Sequence, residues 1–136
     1  MLSNDDKAQI IELGYRYARA VDDDDIDAWL ATWTSDGELT AAFGSVRGLA
    51  DLRALETRLQ AGFSKGHRHV VANTIVEDDD SGTGATSTSY LIIFEREHSP
   101  SVIATAVYHD ALRKTDGLWT FSKRVLRNDA NGKPAQ

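Results

Sequence analysis

The chain has 136 residues, 41% of them hydrophobic, with a net charge of −6 and no cysteine. That is the length and apolar content of one globular domain with a proper core. The missing cysteines exclude disulfides, thiolate nucleophiles and cysteine-based zinc or iron–sulfur sites. The acidic balance argues against a nucleic-acid partner, because binding to a phosphate backbone rests on a basic surface. No apolar run approaches the ~20 residues that span a bilayer, and the polar opening MLSNDDKAQ does not read as a signal peptide. The expectation is therefore a cytoplasmic protein with no membrane partner.

The first helix is signalled by Ser3 or Asn4 as cap and by Asp5 and Asp6 in its first turn. Ile10, Leu13, Gly14, Tyr17, Ala18 and Val21 recur at helical spacing and form one apolar stripe. Asp22 lies at the edge of that stripe, four residues beyond Ala18, and opens the run Asp22–Asp25. Asp23 reads as solvated, and Asp24 or Asp25 as the N-cap of a second short helix with Ile26, Trp29, Leu30 and Trp33 on one face. Ser35-Asp36-Gly37 reads as a turn and Glu38–Phe43 as a short strand, followed by a bend around an extended Val46-Arg47. A third helix, Leu49–Gly62, turns Leu52, Leu55 and Leu59 inward and its arginines and Glu56 toward solvent.

Beyond Lys65 the pattern changes to long runs rich in Val, Ile, Thr and Tyr: His67–Glu77, Ala85–Glu95, Val102–Lys114 and Leu118–Leu126. Their connections are short enough for hairpins, so the four should form an antiparallel meander. The polar segment 128–136 reads as a disordered tail beyond a single domain at 1–127. Helices first and a long sheet afterwards indicate an α+β domain with its helices on one face of the sheet. Val70–Val76 and Leu91–Phe94 are apolar on both faces, which predicts a homodimer through the other face.

Alternation on the first long strand places His69, Val71, Asn73 and Ile75 on one face. If that face meets the helices, Asp22 borders His69. A carboxylate on one imidazole nitrogen fixes the tautomer and leaves the other nitrogen free to act as a general base. Tyr15 or Tyr17, Asn73, Ser89 or Tyr90, and Tyr108 are the polar groups within reach of the same interior, with a tryptophan such as Trp33 lining it. Taken singly, these residues are commonly core histidines, core tyrosines and helix caps; their combined placement is what points to chemistry. The competing constellation is a metal site built from His67, His69 and His109, but no further ligand is obviously placed, so no metal and no cofactor are expected.

The runs YRYARAVDDDDIDAWLATWTSDGEL, RHVVANTIVE and YHDALRKTDGLWTFSKRVLR resemble SnoaL-like proteins of the nuclear transport factor 2-like superfamily. The resemblance covers residues 5 to 127 and implies a conical α+β barrel, a strongly curved, mainly antiparallel sheet wrapped around helices with a deep apolar pocket. Within the superfamily the pattern is similar to the branch of scytalone dehydratase, hexachlorocyclohexane dehydrochlorinase and bile-acid dehydratase. That branch implies an Asp–His dyad at Asp22 and His69, with Asn73 matching a further family position. The dehydratase tyrosine beside the Asp is absent, because Val21 stands there; Tyr17, Tyr90 or Tyr108 is left to polarise the substrate. The implied function is a cofactor-independent lyase or isomerase acting on a hydrophobic, cyclic small molecule. The alternative is a non-catalytic binder of the same fold.

Overall fold

The computed structural model describes residues 1–130. The first helix, α1, spans Asn4–Asp22 and opens on a capping box: the Ser3 hydroxyl accepts the Asp6 N–H, and the Asp6 carboxylate accepts the Ser3 N–H, both at 3.0 Å. The same carboxylate accepts the Lys114 ammonium and the Trp119 indole N–H, each at 3.0 Å, which ties the helix start to the far hairpin of the sheet. The Trp119 donor first, then the Ser3 N–H and Lys114, hold Asp6 well below the usual carboxylate range.

The aspartate run divides its work by backbone geometry. Asp23 is the C-cap of α1, and Asp24 follows with φ 56°. Asp24 N–H reaches Val21 O at 3.3 Å and Asp25 N–H reaches Ala20 O at 2.9 Å, the paired bonds of a Schellman motif. Asp25 then caps α2 (Ile26–Leu30), accepting the Ala28 N–H at 3.0 Å. Of the two candidates for that cap, Asp25 is the one used.

Trp33 departs from its expected place. It is not on the second helix but is the first residue of β1, Trp33–Ala41. Thr32 ends the helix by bonding Trp29 O at 2.6 Å, and its own carbonyl accepts Phe121 N–H at 2.8 Å as the sheet begins. Trp33 still faces the core, which is why helical spacing and strand placement look alike here. The expected turn Ser35-Asp36-Gly37 is instead an irregularity inside β1, where the register against the sheet shifts between Trp33 and Glu38. A Cβ on Gly37 would lie 2.6 Å from the Trp33 ring, so only glycine fits beneath it. Strand β2 (Gly44–Arg47) and helix α3 (Leu49–Ala61) follow. Leu52 and Leu55 are buried as expected, but Glu56 is buried too, at 2% exposure, not solvent-facing.

Strands β3 (His67–Asp78), β4 (Gly84–Glu95), β5 (Ser101–Thr115) and β6 (Leu118–Asn128) form the antiparallel meander. Because β1 pairs parallel with β6, the sheet is six-stranded in the order β2-β1-β6-β5-β4-β3 and stays open, with β2 and β3 as edges. Helix α1 packs on its inner face against β3 and β6, and α3 packs against β1 and α2. The core joins Ile10, Leu13 and Tyr17 to Trp29, Trp33, Leu52, Leu91, Leu112 and Phe121. This is the α+β architecture the sequence implies. Two residues read as part of the tail belong to the end of the sheet: Asn128 closes β6, and Asp129 accepts the Thr105 hydroxyl at 2.6 Å. Residues 131–136 of that tail lie outside the described residues.

Asp24 holds a left-handed backbone with a Cβ and sits among like charges. Asp24→Gly is expected to stabilise the fold by about 0.5–1 kcal/mol, read as a higher urea midpoint with unchanged slope; a lower midpoint would show that the Asp24 side chain contributes a contact that outweighs the strain.

Candidate active site

Position in the fold brings Asp22 to His69. Strand β3 is a sheet edge, so alternate N–H groups face away from β4 and need partners. Asp22, the last residue of α1, supplies one: its carboxylate accepts the His69 backbone N–H at 3.0 and 3.2 Å and lies 2.8 Å from His69 Nδ1. Both side chains are 9% exposed. With the carboxylate ionised, Nδ1 carries the proton and donates it to Asp22, which leaves Nε2 as the basic nitrogen. Nε2 has no hydrogen-bond partner among the described residues, and it is not among the fully enclosed unpaired atoms. Arg96 braces the same corner, donating to His67 O at 3.0 Å and to Asp22 O at 3.2 Å.

Deeper in the interior lies a group the sequence did not single out. Arg124 on β6 is 1% exposed and donates to Asp110 on β5 at 2.7 and 3.1 Å. Its guanidinium lies 3.6 Å from the Tyr108 ring centre, 4.2 Å from Phe121 and 4.4 Å from Tyr17. Burial works against its charge, yet Asp110 beside it raises its pKa above the usual arginine value. Burial pushes the Tyr108 phenol up to about 12, with Arg124 opposing and the Asp110, Glu56 and Asp22 charges adding. Tyr108 therefore stands within the field of both the Arg124 pair and the Asp22–His69 pair. Tyr17 touches Tyr108, Trp29, Trp33 and Phe121 at ring separations of 5.6–6.0 Å, so these rings fill the centre of the cone.

Four expected positions, three on strands and one on α1, lie away from the interior. Asn73 adopts φ 54° in a bulge where the β3–β4 register shifts between Ala72 and Ile75, so alternation breaks and Asn73 and Ile75 are exposed. Thr74 takes the inward position in their place. Tyr90 is 53% exposed on the outer face, because Ser89 is its inward neighbour. Tyr15 is also exposed, at 46%. Tyr17, Trp33 and Tyr108 are buried in the interior as expected. His67 shares His69's face of β3, edge-on to Phe63 at 5.2 Å, whereas His109 is exposed on the opposite face of the sheet. The three histidines are thus not assembled, and no cluster of three or more metal-ligating side chains exists among the described residues.

The interior is close-packed. A cavity of about 10 Å³, room for one water, lies between α1 and the sheet, bordered by Gly14, Val71, Thr74, Ser87, Ser89 and Arg124. A second, of about 50 Å³, lies at the opposite end beside Asp6, Asp78 and Trp119. Neither touches Asp22 or His69.

The sequence pattern of the SnoaL-like domain matches residues 3–125. Among solved structures, a protein of unknown function with a cystatin-like fold from Nostoc punctiforme PCC 73102 is 32% identical, with TM-score 0.89 and 94% of each chain covered. LinA is 22% identical, with TM-score 0.80 over 90% of this chain and 85% of its own. A candidate scytalone dehydratase from Novosphingobium aromaticivorans DSM 12444 is 23% identical, with TM-score 0.77 over 90% and 83%. At those identities the last two show the fold. Among curated proteins, none matches the sequence significantly.

Burial pushes Glu56 up from 4.5 to about 7; the Gln60 amide opposes the shift and the Asp24 charge adds to it. The unfolded chain gives up this proton near pH 4.5 and the folded chain near 7, so between them the folded state holds more protons and stability falls as pH rises. The cost is absent below pH 4.5 and complete above 7, at about 3 kcal/mol. Glu56→Gln is therefore expected to stabilise the protein at pH 8 and to have little effect at pH 4, read from urea midpoints at the two pH values; an equal effect at both would refute the shift.

Proposed function

This chain belongs to the SnoaL-like domain family, and from the Asp22–His69 pair we propose that it is a cofactor-independent lyase or isomerase acting on a hydrophobic cyclic small molecule. His69 Nε2 takes a proton from a carbon next to a carbonyl, and Asp22 holds the imidazole tautomer and stabilises the imidazolium that forms. The Tyr108 phenol, with Arg124 against its ring, donates to the carbonyl oxygen as negative charge develops there. Loss of a β-hydroxyl then completes a dehydration, and return of the proton to another carbon completes an isomerisation. The observation that carries the reading is the 2.8 Å contact between two partly buried ionisable side chains that start 47 residues apart. The candidate scytalone dehydratase, which shares the fold, is in keeping with a lyase.

The packed interior favours a second reading, a small-molecule-binding domain with no chemistry of its own. Tyr17, Trp29, Trp33, Tyr108 and Phe121 occupy the space a substrate needs, so a ligand binds only to the extent that it favours an opened form. The two readings separate on 3-hydroxy-1-tetralone, a bicyclic β-hydroxy ketone whose dehydration gives fluorescent 1-naphthol. The catalytic reading expects turnover by the wild type and a fall of about 10²–10⁴-fold in His69→Ala. Binding without turnover, or equal rates in the two proteins, supports the binder.

We also propose that the outer sheet face pairs two copies of the chain. Val70, Ile75, Tyr90, Val102 and Ile103 are 38–62% exposed there. The cross-strand rows Val70–Ile92–Thr105, Ala72–Tyr90–Val107–Arg127 and Ile75–Thr88–His109–Val125 contain no carboxylate. Two copies of a chain of net charge −6 can therefore meet on these rows without acid opposing acid. Sedimentation should show a dimer for the wild type and a monomer for Tyr90→Arg; a wild-type monomer at micromolar concentration refutes the pairing.

A further inference from the structure

Gly14 stands in the middle of α1, where glycine loses more backbone freedom than any other residue and alanine is the better helix former. Two structural reasons commonly keep a glycine in such a place, and neither applies. Its backbone is helical and not left-handed, so conformation excludes no side chain. A Cβ built on it would meet nothing within 4 Å, so Gly14 does not serve a close contact between helix and sheet. Yet the residue is buried. A buried glycine with open space before it marks a gap in an interior that is otherwise close-packed.

That gap is the cavity of about 10 Å³ between α1 and the sheet. An apolar void of this size would be a packing fault, but this one is bordered by Thr74, Ser87, Ser89, Asp110 and Arg124. Thr74 is there because the bulge at Asn73 turns it inward. Arg124 is 1% exposed, and its Nε and Nη2 donate to Asp110 at 2.7 and 3.1 Å. Its remaining nitrogen, Nη1, is sealed from bulk solvent and has no hydrogen bond within the protein. An enclosed donor on a charged group is costly to leave unsatisfied. The Ser87 hydroxyl donates to Asp110 at 3.1 Å, so its oxygen is still open to a donor. Among the described residues the other sealed side-chain atoms without a partner belong to Trp29, Trp33, Thr34, Glu56, Gln60 and His67, and none of those residues borders this cavity.

We propose that the gap is a binding site for one water molecule and that Gly14 keeps it open. The water accepts the Arg124 Nη1 N–H and donates to the Ser87 and Ser89 hydroxyl oxygens. Three partners lie within the two to four that buried waters commonly have, and the volume admits a single molecule. The charge of Arg124 is already balanced by Asp110, whose carboxylate borders the same space, so a neutral molecule fits there better than an anion. With the water in place every nitrogen of the guanidinium is held, which steadies the cation against the Tyr108 ring 3.6 Å away. The site does not depend on the elimination reading, although that reading uses the ring it steadies.

Helix propensity and the water predict opposite orders of stability at position 14. If the space before Gly14 holds nothing, Gly14→Ala is the most stable form and Gly14→Ser melts below it, because serine is the poorer helix former. If the space holds the water, the alanine methyl displaces it and leaves Nη1 without a partner. The serine hydroxyl then stands in for the water oxygen, and Gly14→Ser is expected to melt about 2 °C or more above Gly14→Ala. Serine at or below alanine overturns the proposal. A crystal structure of the wild type is expected to show one density peak within about 3.2 Å of Arg124 Nη1, and a structure with no peak there overturns it as well. Should either variant fail to fold, the wild-type density decides alone.

Discussion

The contact between Asp22 and His69 fixes more of this molecule than a pair of side chains. An edge strand presents N–H groups that neither sheet nor solvent-excluding core can satisfy, and the end of a helix is where a side chain can reach them. Asp22 accepts the backbone N–H and the imidazole of one residue together. The backbone bond sets the height of β3 against α1, and the side-chain bond sets the plane of the ring. Removing the carboxylate therefore loosens an edge of the fold as well as the imidazole, so under the proposed mechanism a rate loss in an Asp22 variant carries less meaning than the same loss in a His69 variant.

A different economy governs the deep end. Arg124 and Asp110 are 1% and 7% exposed, and two charges taken out of water are favourable only when their mutual geometry is good. Two direct bonds and three aromatic faces meet that condition for all but one nitrogen, Nη1. A hydrophobic pair of equal volume would pack there at no greater cost. Retaining a cation among these aromatic rings makes more sense as a source of fixed positive potential than as a source of stability, and in the proposed mechanism the Tyr108 hydroxyl is the group that would carry that potential to the substrate.

What the sequence revealed follows from how local each signal is. The stripe on α1, its cap, the acidic turn and the four long strands are set by neighbours within a few residues, and all are legible. The Asp22–His69 pair was legible because one residue ends a stripe and the other lies on a strand of known period. Asn73 and Tyr90 were misplaced for complementary reasons: a bulge after Ala72 shifts the phase of β3, and nothing in a strand apolar on both faces says which of Ser89 and Tyr90 points in. Glu56 and Arg124 were hidden by their chemistry, since a charged residue on an amphipathic element reads as solvent-facing unless its partner is known. For Arg124 the partner Asp110 is a cross-strand neighbour, visible once the β5–β6 register is fixed. Glu56 has no such partner, and only its burial gives it away.

The filled centre of the cone and the unpaired polar atoms at its mouth bear on one another. Apolar rings that touch at 5.6–6.0 Å gain from packing and lose little by separating around another apolar body of similar shape. Enclosed donors and acceptors without partners gain outright if that body carries oxygens. A ligand that is flat, apolar and oxygenated at its rim recovers the first interaction and supplies the second, whereas a purely aliphatic one recovers only the first. If the interior opens to a ligand as proposed, the unpaired polar atoms of α2, β1 and α3 favour one that carries oxygens within their reach over one that carries none.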